Sequence, residues 1–138
     1  MQKTLILILT LMLTGRAMTI GYIHRAGGGA IGDPPFVWLM PLIGDAVVGL
    51  SGLMVAYLIW SRQGLAVWTV IVVWNAIAIW DAMSAFIIHL TAPWPAFFMV
   101  QIFGSSMFFL ASAMHLVILI LVIRDPLRSE LISDNKDQ

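Results

Sequence analysis

The sequence predicts an all-α fold: an integral membrane four-helix bundle, running up-down-up-down as a single domain over residues 1–138 with both termini cytoplasmic. Three observations lead there. Hydrophobic residues make up 61% of the chain and charged residues only 10%, against about a quarter charged in soluble domains. Four apolar windows each reach the roughly 20 residues that cross about 30 Å of hydrocarbon at 1.5 Å per residue. The basic residues divide unevenly between the loops, with Lys3, Arg62, Arg124, Arg128 and Lys136 on one side and Arg25 on the other. That bias sets the orientation and points to a multi-pass protein of the bacterial inner membrane.

The first helix is expected at about 5–24. Its opening, Lys3 followed by LILILTLML, also resembles the charged and apolar parts of a secretory signal. A poor small-residue cleavage site and the interruption at Arg16 count against removal. The glycine-rich run AGGGAIGDPP at 26–35 breaks the chain before the second helix, expected at 36–60. SRQG at 61–64 separates it from the third, at 65–90. TAPWP at 91–95 precedes the fourth, at 96–123, and RDP at 124–126 opens a short cytoplasmic tail over 124–138. These are helices and not barrel strands, because each window is continuously apolar and long, whereas a membrane strand alternates over about ten residues. Trp60 and Trp68 flank the inner loop, and Tyr22, Trp38 and Trp94 the outer ones, as amphipathic rings do at membrane interfaces.

Lys and Arg together number 7, as do Asp and Glu, so no excess charge is present to attract nucleic acid. Cysteine is absent, which removes disulfides, thiolate metal sites, attached c-type haem and Cys nucleophiles. The 27–29 glycine run has the composition of a phosphate cradle but lacks the preceding strand and the following Lys-Ser or Lys-Thr. It reads as a loop. The 9 methionines occur singly and suggest no copper ladder.

Counting inward from the outer boundary places Arg16, Asp45, Asp81 and Ser105, on four different helices, each about 12 to 14 Å deep. A shared polar layer follows. On the second helix Asp45, Gly49, Gly52 and Ala56 fall on one stripe, and small residues mark close helix approach in membranes. Ala78, Asp81 and Ala85 cluster likewise on the third. Gln101, Ser105, Ser112 and His115 form a polar stripe on the fourth, with Phe108 among them. Arg16 is harder to direct, since Thr10, Thr14, Ala17 and Gly21 occupy a different face of its helix. It either snorkels outward or faces the two aspartates. Facing them, it leaves a surplus negative charge that calls for a proton, a cation or a further donor.

An ion, proton or substrate site built from Asp45, Asp81, Arg16, Ser105, Asn75, Gln101 and His115 therefore competes with a polar clasp that only fixes helix register. Asn75 alone reads as interhelical glue, and His115 as a proton carrier along its stripe or a partner of Ser112. His24 and His89 end the first and third helices at the outer face, where they could hold a haem axially or, with Asp33, a metal ion. Two histidines facing water is the plainer reading. Trp74 and Trp80, deep in the third helix, read as packing.

Function is expected among three classes. One is a small proton- or cation-coupled transporter or channel acting as a homo-oligomer. Another is an accessory or assembly subunit of a larger membrane complex. The last is a haem- or quinone-binding anchor using His24 and His89. No nucleophile–base spacing supports an enzyme, and no catalytic residue is assigned.

Overall fold

A computed structural model describes residues 2–124 together with Ser129 and Ile132; most of the expected 124–138 tail, Arg128 and Lys136 included, lies outside the described residues. Most of those residues are helical, no strand is present among them, and four helical stretches are long and apolar enough to cross a membrane: Gln2–Ile23, Phe36–Ser61, Leu65–Thr91 and Ser106–Ile123. The chain has the build of a multi-pass membrane protein.

The first stretch is not one regular helix. An α-helix, α1 (Gln2–Leu13), gives way to a 3₁₀ segment (Thr14–Thr19) and then to a single turn, α2 (Ile20–Ile23). A 3₁₀ turn at Phe36–Trp38 leads into α3 (Leu39–Ser61), whose Pro41 sits in the first turn. Nothing is lost there, because the first amide groups of a helix have no partner within it. Gly64, at φ 117°, opens α4 (Leu65–Thr91). The expected fourth helix at 96–123 is divided into α5 (Phe98–Phe103) and α6 (Ser106–Ile123). The break falls at Gly104, whose φ of 58° with ψ −152° lies outside helical space and suits a residue without Cβ.

Along the helices, hydroxyls that would otherwise be stranded among apolar neighbours bond back to carbonyls of their own helix. Ser51 donates to Val47, Ser61 to Tyr57, Thr69 to Leu65, Ser84 to Trp80 and Ser112 to Phe108. The helices then pack as a ring: α1 lies against α3 and α6, and α4 against α3 and α6.

Two apolar sub-cores fill the ring. One is mainly aliphatic, with Ile6, Val55, Ile59, Ile71, Ile118 and Val122 all nearly sealed from solvent. The other is aromatic, built on Trp38, Trp94, Phe97 and Phe108. In it Trp94 stacks on Phe97 at 4.9 Å and meets Tyr22 edge-on at 5.0 Å. Two indole donors pin the connections over this end, Trp38 Nε1 to the Ala92 carbonyl at 2.7 Å and Trp94 Nε1 to the Gly32 carbonyl at 3.0 Å. Trp38 and Trp94 are thus buried among other rings, whereas Trp60 stands exposed. Trp74 is buried as packing, but Trp80 is 71% exposed on the outer surface of α4. Asp45 on α3 lies between Leu42 of the aromatic group and Val48 of the aliphatic one, and Asp81 on α4 between Ala85 and Ala78. The polar residues occupy the seam between the sub-cores.

Gly49 decides how near α3 comes to the 3₁₀ segment. A Cβ at Gly49 would lie 2.2 Å from the Ala17 amide nitrogen and 2.8 Å from the Arg16 carbonyl carbon, whereas one at Gly21 would meet nothing within 4 Å. Backbone cannot yield as a flexible side chain does. Gly49→Ala is therefore expected to lower stability by at least about 1–3 kcal/mol, and Gly21→Ala to leave it unchanged or slightly raised. Denaturant titration of both variants in detergent, followed by helical circular dichroism, measures the difference.

Candidate functional site

Arg16 owes its direction to the 3₁₀ winding. In an α-helix, residues three apart drift by about 60° around the axis, while in a 3₁₀ helix they eclipse. Leu13, Arg16 and Thr19 consequently lie in line, and since Leu13 and Thr19 are both 4% exposed, Arg16 is carried inward with them. The α-helical count, which put Arg16 off the small-residue face, fails for this reason. Thr19 ties the segment down, its hydroxyl lying 2.8 Å from the Arg16 carbonyl and 3.2 Å from the Leu42 carbonyl.

The three guanidinium nitrogens meet four acceptors. Nε donates to Asp45 Oδ1 at 2.6 Å and Nη2 to Asp81 Oδ2 at 2.5 Å, while Nη2 also lies in ion-pair contact with Asp45 Oδ1. Nη1 lies 3.4 Å from the Ala78 carbonyl and 3.3 Å from His115 Nε2. Because a guanidinium can only donate, Nε2 must be the accepting nitrogen of the imidazole, and the ring hydrogen belongs on Nδ1. Nδ1 in turn lies 2.8 Å from Asn75 Oδ1, and Asn75 Nδ2 donates to the Ile71 carbonyl at 2.8 Å. One chain of hydrogen bonds thus joins the first stretch, α3, α4 and α6. The Trp74 indole closes its lower side, edge-on to His115 at 5.0 Å and bonded to Ser51 Oγ at 3.0 Å.

Burial makes these bonds matter. Asn75 and His115 are fully enclosed, the side chains of Arg16 and Asp81 are 11% exposed, and that of Asp45 is 20% exposed. Asp45 faces a cavity of about 390 Å³ bounded by α1, the 3₁₀ segment, α5 and α6, and Arg16 also lines it.

Of the residues expected in the polar layer, the structure brings together Arg16, Asp45, Asp81, Asn75 and His115. Ser105 and Gln101 do not join them. Both are exposed, because the Gly104 break separates the start of the expected fourth helix from the part that carries His115. Ser112 bonds to its own helix and not to His115. His24 is exposed at the end of α2. The His89 ring packs on Phe108 at 5.3 Å and Trp38 at 6.1 Å. Asp33 receives the Arg25 Nε at 2.7 Å and the Ala30 amide at 3.1 Å. Among the described residues no group of three or more His, Cys, Asp or Glu could together hold a metal ion.

Gly44 is a site residue that sequence reasoning missed. A Cβ there would fall 2.0 Å from Asp81 Oδ1, so the bare backbone of α3 makes room for the carboxylate of α4. The signal lay in plain view as a glycine directly before the helical aspartate, but nothing in the sequence says which side chain will occupy the space.

Comparison with protein-family models, curated proteins and solved structures finds no match for this chain. Its chemistry is read from this site.

Arg16 is the member whose loss costs most, since its removal leaves two buried carboxylates without a cation. Arg16→Leu is expected to lower stability by about 3–5 kcal/mol. Arg16→Lys is expected to recover only part of this, because three donors on a point charge cannot match a planar fork of five. His115→Ala removes one charge-assisted bond and is expected to cost about 1.5–3 kcal/mol. Unfolding midpoints in detergent for the three variants give the ranking, and an Arg16→Leu protein as stable as the wild type would refute it.

Proposed function

We propose that this is a four-span protein of the bacterial inner membrane, up-down-up-down with both termini cytoplasmic, in which the Asp45–Arg16–Asp81 cluster is the coupling site of a small proton- or cation-linked transporter. The observation that carries this reading is the charge count at the cluster. Two carboxylates converge on one guanidinium, and the neighbouring imidazole accepts a hydrogen bond from that guanidinium and so brings no positive charge. One negative charge is left over. In a low-dielectric interior it must be balanced by a proton or a monovalent cation, and a site whose balance depends on a mobile ion can exchange it. Ionisable groups inside a membrane are functional-site candidates by default.

Four helices enclose little room for a continuous path, which favours a homo-oligomer in the bilayer. Asp45, at the edge of the cavity, is the exchanging member, while Asp81, lodged against Gly44, holds Arg16 in place.

A second reading, an accessory or assembly subunit of a larger membrane complex, draws on the engagement of all three Arg16 nitrogens, which is also what a structural clasp requires. The two separate in liposomes. Purified protein is expected to carry a proton or cation flux that collapses in Asp45→Asn and Asp81→Asn while both variants keep their helical content. Absence of flux from the wild type, with the variants losing only bundle stability or recovery with a partner, favours the accessory role.

A further inference from the structure

The cavity beside Asp45 identifies the class of molecule that the coupling site takes. At about 390 Å³ it falls within the range of small-molecule pockets. Its lining is almost wholly apolar, Met12, Met18, Phe97, Phe108, Ala111 and Met114 included, and its charged members are Arg16 and Asp45. Methionine fits itself to irregular apolar shapes, and aromatic faces attract cations.

What the charged pair can bind follows from counting donors and acceptors. The Arg16 N–H groups are engaged with Asp45, Asp81, the Ala78 carbonyl and His115, so an anion or a carbonyl entering the cavity finds no spare donor on it. The carboxylates differ. Each offers about four lone-pair positions, and between them they receive two hydrogen bonds and one further ion-pair contact from Arg16. Acceptor capacity and negative charge are both in surplus, and Asp45 is the carboxylate that lines the cavity.

The geometry points to a hydrophobic monocation with an N–H donor, an ammonium on an apolar body, as the ligand of this cavity, its charged end on Asp45 and its body among the methionines and phenylalanines. Such a molecule supplies the missing positive charge and so takes the place of the proton or ion that otherwise balances the cluster. The assignment rests on the coupling-site reading for its charge count, but it is tested by equilibrium binding, which needs no transport.

The experiment compares 4-phenylbutylammonium with 4-phenylbutan-1-ol, which match in apolar body and differ in charge. Binding to the protein in nanodiscs is measured by equilibrium dialysis, with empty nanodiscs subtracted. The ammonium is expected to bind roughly tenfold or more tightly than the alcohol, as a charge-assisted hydrogen bond implies. Asp45→Asn is expected to abolish that preference, and Ala111→Phe, which puts a bulky ring into the cavity lining, to weaken both ligands. Equal binding of ammonium and alcohol to the wild type overturns the assignment and leaves an acyl chain or another neutral group as the occupant; this comparison needs no variant to fold. Ammonium binding unchanged by a folded Asp45→Asn protein, or by Ala111→Phe, overturns it as well. Ammonium binding in a protein that carries no flux upholds the ligand class and counts only against transport. Proton flux without ammonium preference does the reverse.

Discussion

The Arg16 guanidinium is the constraint around which this bundle is arranged. Burying a cation among apolar helices is costly unless each of its donors finds an acceptor, and those acceptors come from α3, α4 and α6. Three elements far apart in sequence are thereby fixed against one another at a single level. A planar fork with donors on three nitrogens can span such a set, and a compact ammonium cannot. Reach on one side and narrow clearance on the other are both needed, which is why glycines on α3 accompany the charges: Gly49 lets the Arg16 backbone come close, and Gly44 makes room for Asp81.

The 3₁₀ winding of Thr14–Thr19 belongs to the same design. A tighter helix is less favourable than an α-helix over more than a few residues, and here the segment is held by the Thr19 hydroxyl, the close contact with Gly49 and the bonds of Arg16 itself. Backbone irregularity at this depth is tolerable where the surroundings are protein and not lipid. The aliphatic and aromatic sub-cores on either side of the seam supply the burial that a polar centre cannot, and the indole bonds of Trp38 and Trp94 secure the connections at the aromatic end.

Much of this was legible in the residues. Four long apolar windows with loop signals between them announce four spanning helices, and the small residues around Asp45 and Asp81 give the inward direction of both. Arg16 could not be directed, because helix-face counting assumes about 100° per residue and the segment that carries Arg16 does not obey it. Ser105 and Gln101 were drawn into the polar layer by a stripe that presumed one continuous helix, yet Gly104 ends it. The pairing of His115 with Asn75 escaped depth counting too. Measured from the outer boundary, the two appear well below the aspartates, and only the bond through Arg16 Nη1 shows that the network descends to reach them. Trp80, taken for packing, stands on the outer surface because the neighbouring positions Ala78, Asp81 and Ala82 already occupy the inner face.

The interruption at Gly104 also changes how this chain would sit in a bilayer. With 18 residues, α6 is the shortest of the four stretches long and apolar enough to span, and at 1.5 Å per residue it measures about 27 Å, a few ångströms less than a typical hydrocarbon layer. Such a helix is accommodated by local thinning of the lipid or by association with a neighbour that shields the deficit. In a bilayer, a mismatch on the α6 flank would make membrane thickness a variable to which it responds.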